Sequence, residues 1–178
     1  MVGMMEYEVK IRVAGLGPVR ARLAALGIRP GSRLTERDLY FNAPDRDFGT
    51  TDEALRIRST EAGATLTYKG PKLGLARVKA REELIVAIDR PRAMEEILAR
   101  LGFTRTAAVE KERESYPVEG CSVALDEVRG LGSFVEIEAP AGMAGDEAVA
   151  LIGRVREELG VTGEETTRSY LELVLATR

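Results

Sequence analysis

Histidine and tryptophan are absent from these 178 residues, and there is a single cysteine. Without histidine there can be no Ser-His-Asp or Cys-His triad, and one cysteine alone makes no disulfide and no zinc site. Cys121 lies in an apolar-rich stretch and reads as buried filler. No GxxxxGK[ST] loop occurs, which excludes a P-loop. No apolar run approaches about 18 residues and no basic leader precedes an apolar segment, so the expectation is a cytoplasmic protein without a membrane partner. A net charge of −3 and a pI near 5.3 offer a nucleic acid nothing in bulk, so any basic site must be local. The chemistry left is that of carboxylates, lysines, arginines, tyrosines, or a hard metal held by oxygen.

What is present is period-two patterning. Strands are expected at 4–13, 33–41, 54–60, 64–70, 77–89, 104–118, 121–128 and 133–139, and helices at 18–26, 91–101, 144–159 and about 168–176. The first two helices open on proline and stop before Gly27 and Gly102. The loops 42–52 and 70–74 are read as mobile. No linker divides the chain, so residues 1–178 are taken as one domain. The order repeats: "ALGIR" at 25–29 and "RLGFT" at 100–104 are 75 positions apart, as are Glu8 and Glu83. Two halves, each strand–helix–strand–strand–strand, give eight mostly antiparallel strands, enough to close a barrel. The expected class is α+β, a closed eight-stranded barrel with helices packed outside.

The direction of the charges follows from the helices. In "MEYEVKIRV" Met5, Tyr7, Val9, Ile11 and Val13 oppose Glu6, Glu8, Lys10 and Arg12. Leu55 and Ile57 oppose Arg56 and Arg58; Leu84, Val86 and Ile88 oppose Arg77, Lys79, Arg81 and Glu83. An apolar helix stripe must be buried against something, so the apolar strand faces are turned outward to the helices and the charged faces inward. An open sheet with one wet face would show the same alternation. The interior set is Glu6, Glu8, Glu83, Asp126, Glu136 and Glu138 with Lys10, Arg56, Arg58, Lys69, Lys79, Arg81, Lys111 and Arg113. Buried charges persist when paired or bound to an ion, and their segregation suits a ligand polyanionic on one side and metal-binding on the other. Of 21 Arg and five Lys, four lysines fall at these inward positions, where a compact charge suits phosphate oxygens. Glu110, Glu112 and Glu114 fall on the opposite face and are read as solvated. Arg12 and Arg77 are ambiguous, and Tyr170 is read as core or as part of a plug over one end.

"EYEVK", "RIR" at 56–58, "LTYKGP" around Lys69, "KER" at 111–113, "LDEV" with Asp126 and "FVEIE" at 134–138, in this order, resemble the CYTH superfamily, the triphosphate tunnel metalloenzymes. The likeness runs from about residue 6 to "SYLELVL", and the wording of "TYKGP" and "LDEVRGLGSFVEIE" is similar to class IV adenylyl cyclases. The resemblance implies a small-molecule triphosphate substrate, ATP or inorganic triphosphate, and Mg²⁺ or Mn²⁺. Lys10, Arg56, Arg58, Lys69, Lys79, Arg81, Lys111 and Arg113 would bind phosphates, and Glu6, Glu8, Glu83, Asp126, Glu136 and Glu138 the metal. Glu6, Glu8, Lys10 and Glu138 would be catalytic. The plain alternatives are a solvated strand face for the acids and cross-strand salt bridges for the arginines. For activity, the resemblance favours a cyclase making cyclic AMP and pyrophosphate; a triphosphatase and a non-catalytic polyanion-binding module remain open, as does a homodimer.

Overall fold

The period-two alternation becomes an antiparallel barrel in the computed structural model, which describes residues 4–75 and 78–177. In chain order the elements are β1 (Met4–Val13), α1 (Gly17–Ala25), β2 (Ser32–Asn42), α2 (Phe48–Thr51), β3 (Ala54–Thr60), β4 (Gly63–Lys69), β5 (Leu73–Leu75), β6 (Val78–Ile88), α3 (Pro91–Arg100), β7 (Thr104–Val118), β8 (Cys121–Val128), β9 (Gly132–Glu138), α4 (Gly145–Leu159), β10 (Glu164–Thr166) and α5 (Tyr170–Leu175). Eight strands run β1-β9-β8-β7-β2-β3-β4-β6, and the pairing of β1 with β6 closes the ring. The short β5 and β10 attach to β6 and β1. Loop 42–52, expected to be mobile, instead carries α2, whose first turn is capped by Asp47 accepting from the Gly49 amide. The short β5 falls partly in the segment 70–74, also read as mobile.

The sequence repeat is a two-fold axis in the register. A shift of 75 positions takes Glu6 to Arg81 and Glu36 to Lys111, and both are directly opposed pairs, on the β1–β6 and β2–β7 seams. The same shift turns Glu8↔Lys79 into Met4↔Glu83, and Asp38↔Val109 into Leu34↔Arg113. Following the pairings onward superposes Arg58 on Asp126, Thr67 on Glu136 and Lys69 on Glu138. Backbone position repeats between the halves, while the sign of most inward charges is reversed.

The apolar strand faces look outward, as the helix stripes require. Val9, Ile11, Val123, Leu125, Val135 and Ile137 pack under Val19 and Leu23 of α1 and Ala148, Ile152 and Val155 of α4. Leu39, Phe41, Leu55 and Ile57 pack with Leu98 of α3 and Phe48 of α2. Burying an aliphatic side chain of this kind contributes about 1.5–3 kcal/mol. On β6 Ile88 is covered this way, whereas Leu84 and Val86 remain exposed. Gly102, with φ +90, ends α3 where a Cβ would meet Pro44 Cβ at 3.0 Å, so the glycine is required twice over. The short α5, fixed by a capping box between Ser169 and Glu172, inserts Tyr170 into one end of the barrel against Tyr40, Val109, Val128 and Phe134. Among the described residues no helix is long and apolar enough to cross a membrane.

Candidate functional site

The barrel interior is a tunnel of charge containing a cavity of about 230 Å³. Glu6, Glu8, Lys10, Arg56, Arg58, Lys69, Glu83, Lys111, Arg113, Glu136 and Glu138, all expected to face inward, line it. Arg81 does not: its Nε donates to the Gly70 carbonyl at 2.7 Å and its Nη2 to the Asp52 carbonyl at 2.8 Å, so it fastens the 70–74 segment. Of Lys79 only the backbone, paired with Glu8, is described, and Arg77 lies outside the described residues. Arg12 does not line the cavity; its guanidinium lies 5.0 Å from the ring of Phe134, at the end of the barrel that Phe134 and Tyr170 close.

The six expected metal ligands divide into two groups. Glu6, Glu8 and Glu138 converge, with one carboxylate oxygen of each within 4.8 Å of the others. The other three are committed to cations. Glu83 pairs with Lys69, which also reaches Glu6 of the triad at 3.1 Å; Glu136 pairs with Lys10 at 3.0 Å and with Arg113. Asp126 accepts from Arg113 Nε at 2.7 Å and Nη2 at 2.5 Å, from Lys111 at 3.2 Å, and from the Tyr170 hydroxyl at 2.7 Å. It is fully buried behind the cavity wall, and its role in the geometry is to hold two cations in place.

The electrostatics follow this division. Burial alone would raise the Glu136 pKa, but Lys10, Arg113 and Lys111 outweigh it and hold the carboxyl well below the usual range. Glu138, at the open edge of the cavity, goes the other way. Partial burial first, then repulsion from Glu6, Glu8 and Glu136, push it up to about 7, against the pull of Lys69. Lys111 is lowered by burial and by Arg113. A cluster of three carboxylates, with Glu138 pushed up by its acidic neighbours although Lys69 stands on Glu6 at 3.1 Å, has the oxygen donor set that suits a hard divalent cation such as Mg²⁺ or Mn²⁺.

Several participants escaped the sequence reading. Glu36, Asp38 and Tyr40 share the inward face of β2, opposite Leu39 and Phe41, and the same alternation marks them in the sequence. Glu36 contacts Arg58 at 2.8 Å and Lys111 at 3.2 Å. Tyr170 is both core and plug, with Lys10 and Lys111 ammonium groups 4.2 and 4.8 Å from its ring centroid. Glu114, expected to be solvated, is buried against Tyr116 and bound by Arg20 and Arg33, joining α1 to β7.

Comparison with known proteins agrees with this architecture. A Methanocaldococcus jannaschii protein named "Putative adenylate cyclase" is 36% identical over 173 residues, spanning 96% of this chain and 98% of its own. A Pyrococcus horikoshii protein of known structure is 37% identical, with a TM-score of 0.84 over 97% of this chain and 99% of its own. A Hippeastrum adenylyl cyclase-like protein, described as having a dominant triphosphatase activity, shares the fold at 20% identity, TM-score 0.73, over 98% of this chain and 96% of its own. The CYTH domain model matches residues 4–170, almost the whole barrel and its plug. This chain therefore belongs to the CYTH domain family.

Proposed function

We propose that the protein is a metal-dependent enzyme that cleaves a phosphoanhydride bond of a triphosphate held in the tunnel. One observation carries the reading. Glu6, Glu8 and Glu138 gather on the β1–β9 wall, and Arg56 and Arg58 stand on the β3 wall across the ring, with Lys111 and Arg113 between. A linear polyanion can span that gap, meeting fixed cations on one side and a carboxylate-held ion on the other.

Arg56, Arg58, Lys69, Lys111 and Arg113 would orient the phosphates and draw off charge from their oxygens, which is most of what phosphoryl transfer asks of a protein. Among the described residues, the buried Nε of Arg56 meets no hydrogen-bond acceptor, so it is a donor an oxyanion could use. A Mg²⁺ or Mn²⁺ ion held by Glu6, Glu8 and Glu138 would supply further charge neutralisation and help place the nucleophile. Tyr170 and Phe134 close one end and keep water from that side. Lys10, buried on Glu136 and over Tyr170, keeps its proton and serves as a fixed charge.

The lining supports hydrolysis of the triphosphate best. Among the described residues, apart from charged groups the cavity meets Tyr40, Ala54, Ile85, Ser169 and Tyr170, which is no array for reading a base. Cyclisation of ATP is the second reading, supported by the likeness to the Methanocaldococcus relative named for a cyclase. Purified protein incubated with Mg²⁺ or Mn²⁺ and, separately, inorganic triphosphate, ATP and GTP separates the two. Orthophosphate, released fastest from inorganic triphosphate, is the expected product. Cyclic AMP with pyrophosphate from ATP would establish the cyclase, and binding without any product would reduce the protein to a polyanion-binding module.

A further inference from the structure

We infer that Asp38 is a positioning residue, which aims the two arginines of β3 at the triphosphate without touching substrate or metal itself. The inference rests on the triphosphate reading above. Asp38 is 1% exposed and lies behind the cavity lining, directly across the β2–β3 ladder from Arg58. Its Oδ1 accepts from Arg58 Nε and its Oδ2 from Arg58 Nη2, both at 2.7 Å, while Arg56 Nη1 reaches Oδ2 at 3.4 Å. Glu36 takes the remaining nitrogen, Arg58 Nη1, at 2.8 Å. Arg58 is thus held at all three nitrogens from behind, and the N–H bonds left over are those that can face the cavity.

A metal-ligand role does not fit. Both Asp38 oxygens are used by guanidinium groups, and the carboxylate triad stands on the far wall of the ring. The two-fold repeat supplies an independent argument. The position equivalent to Asp38 is Arg113, and that equivalent to Arg58 is Asp126; these form the same forked pair, at direct register, on β7–β8. Each half of the barrel therefore fixes one arginine with one buried aspartate on the neighbouring strand. A long, flexible side chain held in this way binds phosphate without first losing its rotamer freedom, so loss of the aspartate should weaken binding through the arginine.

The test is a double-mutant cycle on inorganic triphosphate binding, measured by calorimetry without metal, with Mn²⁺ binding followed separately by electron paramagnetic resonance. Wild type, Asp38→Asn, Arg58→Ala and the double variant are compared. Asp38→Asn is expected to weaken triphosphate binding by about tenfold to a hundredfold, to leave Mn²⁺ affinity within about twofold, and to cost clearly less when Arg58 is already alanine, the remainder acting through Arg56. Should Asp38→Asn fail to fold, Asp38→Glu, which keeps the charge but displaces the fork, replaces it in both Arg58 backgrounds, so that all four corners of the cycle are still measured. Equal losses in the two Arg58 backgrounds, or a matching loss of Mn²⁺ affinity, would overturn the positioning role. Failure of the wild type to bind triphosphate would overturn the functional reading itself.

Discussion

Glu138→Gln should make the metal-free protein more stable, by an amount that grows as pH rises from about 4.3 to about 7 and is then constant. Carboxylate oxygens of Glu6, Glu8 and Glu138 lie within 4.8 Å of one another. At that separation two charges repel by about 0.9 kcal/mol in water and by about 3.5 kcal/mol at an effective dielectric near 20. The Glu138 carboxyl titrates near 7 in the folded protein and near about 4.3 in an unfolded chain, so the folded form holds the proton more tightly. The stability this gives is fully present below about pH 4.3 and is lost as pH rises through about 7. Fully desolvated, the ionised group would cost about 3–4 kcal/mol; open to water on one side, it should cost about 1–2 kcal/mol. Glutamine removes that cost, raising the melting temperature at pH 8.5 by about 2–8 °C and changing it little at pH 4.5. Mg²⁺ or Mn²⁺ at a hundred times its dissociation constant should stabilise the wild type by about 2.7 kcal/mol and the variant much less. Thermal unfolding at both pH values, with and without metal, reads all of this. A variant that melts with the wild type at both pH values, and gains equally from metal, would refute the reasoning.

Two further outcomes are expected. Lys10→Met keeps the stem and removes the charge, so triphosphate binding by calorimetry should weaken by about tenfold to a hundredfold, whereas Arg129→Ala on the outer surface should leave it unchanged; equal losses would contradict the tunnel site. Glu114 is held down to about 2, first by its hydrogen bond to Arg20 and also by Arg33 and Tyr116, so its contribution is present above about pH 4.3 and lost as pH falls through about 2. With both arginines open to water, Glu114→Gln should cost about 1–2 kcal/mol at pH 7 in urea unfolding, and the gap to wild type should narrow at pH 3; a gap constant with pH would point to packing instead.

Much of the barrel could be read from alternation, because a two-residue period decides at once what is strand and which face is covered. Glu6, Glu8 and Glu138 were placed correctly on the inward face by the apolar residues beside them. What alternation could not decide was which inward acid would meet which inward cation. Asp126 and Glu136 share a face with Glu138, yet cross-strand neighbours give the first two to Arg113 and leave the third among like charges. Arg81 shares its face with Glu83, but the nearby carbonyls of Gly70 and Asp52 capture it. Glu114 lies outside the barrel and still is not solvated, because α1 brings Arg20 over it. Tyr170 was undecided for a different reason: a six-residue helix has too little periodicity to say where it docks.

The reversal of charge sign between the halves also gives the tunnel a direction. Were the halves identical, Glu6 and Glu36 would each face a copy of itself across a seam, and the barrel would be pushed apart where it must close. It would also present a linear polyanion with two equivalent orientations, related by half a turn, so that either end could arrive at either wall. Lys111 removes the first difficulty on the β2–β7 seam by pairing with Glu36 at 3.2 Å, and on the β1–β6 seam the residue opposite Glu6 is Arg81, a cation turned onto backbone carbonyls, in place of a second glutamate. Arg58 standing where its mate is Asp126, and Lys69 where its mate is Glu138, remove the second. On the proposed function, a bound chain of phosphates would have a head and a tail, and the end facing the acidic wall would select the bond to be cleaved.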